Sequence, residues 1–375
     1  MSNTFLDTSL VARDASIQLS ENLVAAQLCN RNHESKFVPG VGSSITVKVP
    51  PVQVSRDFID DGLTTTANNI TETGVALALT EQPYVRHTIL TSEKTLDIDD
   101  FNTVVTQPCV LAIRDAIDTY ICKRMVAGFS AGGVAGTDGA QPSSLAHIAA
   151  GMTLLNTNKC PMDQRIGLVN PTPQGSFLQL KQFISVDYGS ERPSGLRDAS
   201  MGKLLGFDWF MDQNMATLSR GDVSNGTNVM GASQTGTTLI IDNGSGTATG
   251  TINEGTRFTI NALALEYVVT ADTAAAGGSF SLPIYPALES SPADNAAITY
   301  IAAVTGNVMY TKNAIAAAIV PPAPLAVASS IGFYNGVGIR VTMSSSTSTL
   351  ADDIVFDCYC GAKVIEKKGG ICLQG

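Results

Sequence analysis

One segment of the chain has the residue types and spacing of a serine nucleophile. Gly128, Ser130 and Gly132 form the pattern GxSxG, and Asp138 and His147 follow in the chain order of an α/β-hydrolase triad. That chemistry needs a strand before the serine and a helix directly after it, because a strained turn must expose the hydroxyl. Here apolar residues at helical spacing precede the serine, and glycines follow it. The sequence therefore favours a chance match in a glycine- and serine-rich chain over a nucleophile.

Few other residues are placed to do catalysis or to bind a metal. The three histidines, His33, His87 and His147, have no HxH or HxxxH spacing, so we expect structural or surface roles for them. The acidic run at 97–100 lacks the DxDxDG loop of an EF-hand. The sequence also contains no P-loop, no dinucleotide-binding glycine motif and no glycosidase-like carboxylate pair. We therefore predict no catalytic, cofactor-binding or metal-binding residues, and a protein that is not an enzyme.

The cysteines indicate free thiols rather than disulfides or zinc. Their number is odd and their positions are scattered: Cys29, Cys109, Cys122, Cys160, Cys358, Cys360 and Cys372. Free buried thiols in a reducing compartment explain this set best. Cys358 and Cys360 form a CxC pair in a strand-like run and so share one face, but no second cysteine or histidine pair lies nearby to complete a zinc site.

The composition limits the classes of partner. Charged residues make up 15% of the 375 residues, against roughly 25% in typical soluble domains, and 44% are hydrophobic. A chain with so little charge is expected to hide much of its surface against other subunits. The net charge of −10 argues against general nucleic-acid binding, and the one basic cluster, Lys363, Lys367 and Lys368, is interpreted as a solvated terminal face. The start of the chain lacks secretory-signal features, and the weakly charged stretch 313–339 is interrupted by prolines, so no membrane span is expected.

A long amphipathic helix is predicted over 96–125. Its apolar residues repeat at helical spacing, and Pro108 fits the first turn. Asp97, Asp99 and Asp100 are expected to cap its start. The polar face is predicted to consist of Arg114, Asp115, Asp118, Lys123 and Arg124, and the apolar face of Ile113, Ile117, Tyr120, Ile121 and Met125.

A long hairpin is predicted before this helix. Apolar and polar residues alternate over 45–49, Pro50 and Pro51 end the ladder, and a second alternating run over 75–79 returns toward 84–90. Because the connection is polar, we expect the tip to lie outside the core of its own subunit. An amphipathic helix over 10–29 precedes the hairpin and is expected to be an arm that is free to pack on a neighbour.

The rest of the chain predicts an α+β fold with an all-β insertion. Helices are expected over 145–157 and after the proline turn at 171–173, and strands over 166–170 and around Trp209. Between 219 and 304 the helix signal is lost, and a small acidic β-domain is predicted with its strands at 238–241, 257–260, 266–269, 280–284 and 297–301. The final strands, 339–343 and 354–359, are expected to complete the sheet begun before the insertion.

The order of these segments resembles a known family. LVAAQLCNRNHESKF, VGSSITVKVPP and ILTSEKTLDIDDFNTVVTQPCVLAIRDAID are followed by NEGTRFTINAL, SFSLPIYPAL and MYTKNAIAAAIVPP. Together they are similar to the major coat proteins of short-tailed, lambdoid-type bacteriophages, which share the Hong Kong 97-type capsid fold. The resemblance implies an N-terminal arm (1–35), an E-loop (36–92), a peripheral domain with a spine helix (93–139), an axial domain (140–224 and 305–350), a β insertion domain (225–304) and C-terminal strands of the peripheral domain (351–375).

The resemblance also implies a function. Such a subunit assembles with itself into pentamers and hexamers of an icosahedral head, which encloses double-stranded DNA without sequence-specific binding. A scaffolding protein and a portal would be its partners, and the virion, assembled in the bacterial cytoplasm, its location. Glycines at 128, 132, 133 and 136 are interpreted as hinges that permit different curvatures. The alternatives are a decoration or tail-tube protein, which has little use for a long helix after a hairpin, and, more remotely, an esterase-like hydrolase built on Ser130.

Overall fold

The computed structural model describes residues 8–37, 42–49, 55, 70, 72–90, 101–181, 201–215, 217–223, 226–243, 249–276, 278–346 and 350–375. The predicted hairpin tip and the predicted caps Asp97, Asp99 and Asp100 lie outside these residues. Helices and strands are both present, and the fold class is α+β as predicted. Among these residues the α-helices are α1 (Thr8–Asn22), α2 (Gln107–Ser130), α3 (Leu145–Thr157) and α4 (Pro171–Phe177).

The strands form six sheets among the described residues. In chain order they are β1 (Ser44–Val49), β2 (Thr73–Ala78), β3 (Tyr84–Leu90), β4 (Val134–Ala135), β5 (Arg165–Val169), β6 (Lys203–Leu204), β7 (Phe207–Met211), β8 (Asn228–Val229), β9 (Thr238–Asp242), β10 (Thr251–Ile252), β11 (Arg257–Ile260), β12 (Glu266–Val269), β13 (Thr273–Ala274), β14 (Phe280–Tyr285), β15 (Ile298–Tyr300), β16 (Val308–Thr311), β17 (Ile315–Val320), β18 (Ala328–Tyr334), β19 (Val337–Ser346), β20 (Ala351–Asp357), β21 (Tyr359–Val364) and β22 (Gly370–Leu373).

Helix α2 is the predicted spine of the molecule. It follows one π-helical segment, Asn102–Thr106, and has Pro108 in its first turn. Four residues of the predicted apolar stripe, Ile113, Ile117, Ile121 and Met125, are buried in the largest core cluster, and the fifth, Tyr120, is half-buried against it. The helix continues to Ser130 rather than ending at 125, so Gly128 lies inside it. The missing side chain at Gly128 leaves room for Val364 of β21, which a Cβ atom there would overlap. One prediction about its faces is wrong: Asp118, assigned to the polar face, is buried.

Helix α1 ends at Asn22, seven residues before the predicted end at residue 29. The two carboxylate oxygens of Asp118 accept hydrogen bonds from the backbone N–H groups of Val24 and Ala26, at 3.0 and 3.4 Å. In a longer helix these N–H groups would instead donate to backbone carbonyls one turn earlier. The apolar face of α1 packs on β18, β19 and α2 of the same chain. Over Thr8–Asn22 the segment is therefore not the free arm expected from the sequence.

The hairpin is present at its base. Strands β1 and β2 pair antiparallel, with Ile45 opposite Leu77 and Val47 opposite Val75. The buried face of this pair packs on Ala316 and Ala318 of β17. Strand β3 does not continue the hairpin but joins a four-stranded antiparallel sheet of order β18-β19-β20-β3.

The strands after the insertion divide between sheets, and this corrects the expectation for the final strands. Only β16 and β22 join β5 and β7, in a six-stranded mixed sheet of order β4-β22-β16-β5-β7-β6 that α3 and α4 help to cover. Strands β18, β19 and β20 pair with β3 instead, and β17 pairs with β21. Hence the predicted final strands, which correspond to β19 and β20, join the sheet of β3 and not that of β5 and β7. The predicted domain boundary at 350 lies between β19 and β20, which pair in one sheet over Arg340–Ser346 and Ala351–Asp357.

The predicted β insertion is a unit with its own core. Its main sheet has the order β15-β11-β12-β14-β9-β8, and all five predicted strands are present within one or two residues of their predicted bounds. Phe258, Tyr267 and Phe280 are fully buried in a cluster separate from that around α2. The chain enters and leaves at adjacent points, since the Leu218 N–H donates to the Val304 carbonyl at 3.0 Å.

Candidate functional site

The GxSxG segment forms the end of α2 and not a nucleophile elbow. Ser130 is buried, and its hydroxyl donates to the Ala127 carbonyl one turn earlier, at 2.7 Å. Asp138 pairs with Arg257, and His147 Nδ1 accepts the backbone N–H of Ser143 at 3.2 Å. Each member of the supposed triad is thus held by a partner of its own, and the geometry offers no activated hydroxyl.

The glycines after α2 are explained by close packing. A side chain at Gly132 would overlap the carbonyl oxygens of Gly370 and Lys367, and one at Gly136 would overlap that of Gln374. Gly133 and Gly136 also have positive φ angles of 118° and 106°, which other residues adopt only with strain. These glycines let the chain run against the C-terminal strand β22. The contacts give them a packing role, and the hinge role stays a prediction.

The cysteines are buried and free, all seven of them, as predicted. Burial raises the pKa of Cys109 to about 11 and that of Cys360 to about 12, so these thiols are poor nucleophiles and metal ligands at neutral pH. Within the described part of the chain no group of three or more His, Cys, Asp or Glu side chains could hold a metal ion. No helix among the same residues is long and apolar enough to cross a membrane.

The buried Asp118 is a polar feature that the sequence analysis missed. Burial raises its pKa to about 7, although the amides of Val24 and Ala26 oppose the shift, and the nearby Asp212 adds to it. Cys122 lies one turn further along α2, and its Sγ contacts Asp212 Oδ2 at 3.6 Å. In the sequence Asp118 directly follows the buried Ile117, so it borders the apolar stripe, and this position was the only available signal.

A pocket lies where four parts of the chain meet, and we call it the junction pocket. It is a cavity of about 290 Å³ between α2, the hairpin strand β2, the insertion strand β12 and the segment after β21. Its walls are largely apolar, with Val75, Ala127, Val268 and Val364 among them, and its charged lining residues are Arg124, Glu254, Lys363 and Lys367.

The charges of the junction pocket are organised around Glu254. This buried carboxylate accepts hydrogen bonds from Arg124 Nη1 and from Lys363 Nζ, the latter at 2.8 Å. Lys367 Nζ lies 4.3 Å from the centre of the Tyr285 ring, in cation–π contact. Burial, with the nearby positive charge of Lys363, lowers the pKa of Lys367. The pocket therefore has three cationic side chains and one carboxylate.

A second ion-pair cluster attaches the insertion to the body of the subunit. Arg257, the only basic residue in 231–303, is 6% exposed. Its guanidinium pairs with Asp138, outside the insertion, and with Glu266 within it. Together with the contacts of Glu254, these pairs make the boundary between the two cores polar.

Comparison with known proteins gives similarity in structure only. No family model matches the sequence, and no curated protein matches it. A chain in the structure of Mycobacterium phage Che8 is 16% identical, with 93% of this chain and 90% of that chain covered and a TM-score of 0.55. A chain in the capsid structure of the cyanophage P-SCSP1u is 12% identical, with 89% and 83% covered and a TM-score of 0.45. A chain in the mature capsid of bacteriophage PhiM1 is 9% identical, with 89% and 82% covered and a TM-score of 0.48.

The likeness to the Che8 phage structure extends over nearly the whole chain and shows a shared fold. The chain has the α+β, Hong Kong 97-type capsid fold that the sequence led us to expect.

Proposed function

We propose that this protein is the major capsid protein of a tailed bacteriophage. Its copies assemble into pentamers and hexamers of an icosahedral head that encloses double-stranded DNA. The observation that carries the proposal is the fold shared with a phage protein over 93% of this chain and 90% of the other. The role is structural, without catalysis, and the location is the virion.

The surface of the subunit is consistent with burial between copies. Large apolar side chains are exposed on separate parts of the molecule, including Tyr84 on β3, Phe333 on β18 and Met162 in the turn after α3. Fifteen per cent of charged residues leaves little charge to keep these surfaces apart. Subunits of a shell bury such side chains against several neighbours at once.

The sheets suggest a division into domains that modifies the one expected from the sequence. In this proposal the peripheral domain contains α1, α2, β3 and β17–β21, and the axial domain contains α3, α4 and the sheet of β5, β7, β16 and β22. The hairpin of β1 and β2 is the E-loop, and 225–304 is the insertion domain. The last strand, β22, therefore belongs to the axial domain.

A scaffolding protein, the portal and the packaged DNA are the further partners in this proposal. The net charge of −10 suits a wall that does not hold the DNA tightly. Assembly takes place in the cytoplasm of the host bacterium.

Negative-stain electron microscopy of the purified chain, alone and with a candidate scaffolding protein, tests the function. We expect closed or partly closed shells of uniform curvature. A chain that stays monomeric at high concentration under every assembly condition would contradict the proposal. Hydrolysis of a generic ester that disappears in Ser130→Ala would support the enzyme alternative instead.

A further inference from the structure

The junction pocket contains a cation, Lys367, that forms no ion pair with the carboxylates of the described residues. Glu254 is already engaged by Arg124 and Lys363, and Lys367 forms no ion pair with any described residue. Lys367 is only partly exposed, and the walls beside it are mostly apolar. A partly desolvated cation of this kind is stabilised when a carboxylate comes within a few ångströms. The pocket thus fits a ligand with an apolar body and a negative charge.

The complementary features are present at the turn between α3 and β5. Residues 161–164 of this turn are all exposed. Met162 has 76% of its surface exposed, the largest value among the large apolar side chains in the described ranges. Asp163, next to it, makes no ion pair with a described residue. The turn therefore presents an uncovered apolar side chain beside an unpaired carboxylate.

The turn and the pocket lie side by side on one subunit. Cys160 Sγ donates to the carbonyl of Lys368 at 2.7 Å, and the guanidinium of Arg165 holds the carbonyls of Cys160 and Pro161 at 2.9 and 2.8 Å. These bonds fix the start of the turn against the short 3₁₀ helix Lys367–Gly369.

We propose that Met162 and Asp163 of one copy dock into the junction pocket of a second copy of this chain. The Asp163 carboxylate pairs with Lys367, and Met162 lies against the apolar wall formed by Val75 and Val268. The inference rests on the proposed function, because it names one of the contacts that hold subunits together. Since both patches are next to each other, two copies related by a two-fold axis make the contact twice, which is the self-complementary arrangement of isologous interfaces.

A charge-reversal cycle in the full-length chain tests the contact. Lys367→Glu and Asp163→Lys should each lower the yield of shells at least tenfold, because like charges then face each other across the contact. The double variant should recover most of the yield, since the pair is restored with its signs exchanged. Lys368→Glu is the matched control, because Lys368 is the exposed neighbour of Lys367 and does not line the pocket. Circular dichroism and the melting temperature of the unassembled variants report whether they fold.

Zero-length carbodiimide cross-linking of wild-type shells provides the second measurement. Shells made from equal amounts of ¹⁴N- and ¹⁵N-labelled chains should yield a Lys367–Asp163 peptide of mixed label, which only two different copies can give. A peptide that never mixes labels, or Lys367 joined to another carboxylate, would overturn the proposed occupant. So would Lys367→Glu chains that fold and assemble as the wild type does. These results leave the capsid function intact, whereas a wild-type chain that never assembles contradicts the function itself.

Discussion

The insertion and the body of the subunit achieve stability in opposite ways. The insertion core draws its buried residues from one continuous stretch, from Val223 to Ile298. The core around α2 draws them from the first helix, the middle of the chain and the last strand, from Val11 to Cys372. The two units meet at a polar boundary of ion pairs around Glu254 and Arg257. The comparison teaches that the insertion is a local fold attached to a body whose parts depend on one another across the whole chain.

Phe258→Ala should give the largest effect and confine it to the insertion. Phe258 is fully buried and stacks on Tyr267, with ring centres 5.9 Å apart. Its removal leaves a cavity and should cost the insertion about 3–5 kcal/mol of its free energy of unfolding. Hydrogen exchange followed by mass spectrometry should show faster exchange in β9, β11, β12 and β14 and no change in α2. Leu265→Ala, at an exposed position of the same unit, is the control; equal loss of protection in α2 would show that the two cores are one.

Gly132→Ala should destabilise the body of the subunit and leave the insertion unchanged. The new methyl group would overlap the carbonyl oxygens of Gly370 and Lys367, so β22 must move away from the end of α2. We expect a loss of about 3 kcal/mol from the body, at the upper end of typical overpacking costs. Hydrogen exchange should increase in α2 and β22 while the insertion keeps its protection.

Gly175→Ala is the matched control for this glycine substitution. Gly175 lies in α4, and nothing is within 4 Å of a side chain added there. The change should raise stability by up to about 1 kcal/mol, because alanine favours the helix. If Gly132→Ala were equally harmless, the close contact with β22 would be refuted.

Arg257→Met should weaken the attachment between the two units without unfolding either. The substitution leaves the partly exposed carboxylates of Asp138 and Glu266 without their cation. We expect a loss of about 1–2 kcal/mol in total stability, reduced by the solvent that already reaches Glu266. Calorimetry should show a larger difference between the melting temperatures of the insertion and of the body than in the wild type. Lys203→Met removes an exposed pair with Asp208 and should change stability by less than about 1 kcal/mol.

Asp118 should give the body, and not the insertion, a dependence on pH. The folded chain holds its proton up to about pH 7, whereas an unfolded aspartate releases it near about pH 4. Its contribution to stability is therefore fully present below about pH 4 and is lost as the pH rises through about 7. In Asp118→Asn, urea unfolding of the body should vary less between pH 4 and 8. Asp115→Asn, at an exposed site on the same helix, should keep the wild-type slope.

The elements that the sequence predicted well are those with a local cause. The strands of the insertion alternate apolar and polar residues between turns, and the bounds of β11 and β12 agree with the prediction residue for residue. The same holds for α3. The pairing of β1 with β2 followed from two alternating runs and the prolines that end the first. In each case neighbours in sequence decide the conformation.

The errors fall where distant residues decide. Nothing within residues 10–29 reveals that Asp118, about 90 residues away, would take the amides that end α1. The packing of Gly132 and Gly136 was missed for the same reason, since the carbonyls that they approach, at Gly370 and Gln374, lie more than 230 residues further along. The junction pocket with Lys367 could not be predicted from the sequence, since its walls come from four separate segments.

The sequence by itself determined the class of the fold and the strands of the inserted β-domain, because periodicity and turn residues act over short distances. Only the tertiary structure decided which sheet each late strand joins, where the charges of the subunit meet and which glycines a neighbour requires. Those features depend on the close approach of segments far apart in the chain, and close packing lets a single carboxylate or a missing side chain fix them.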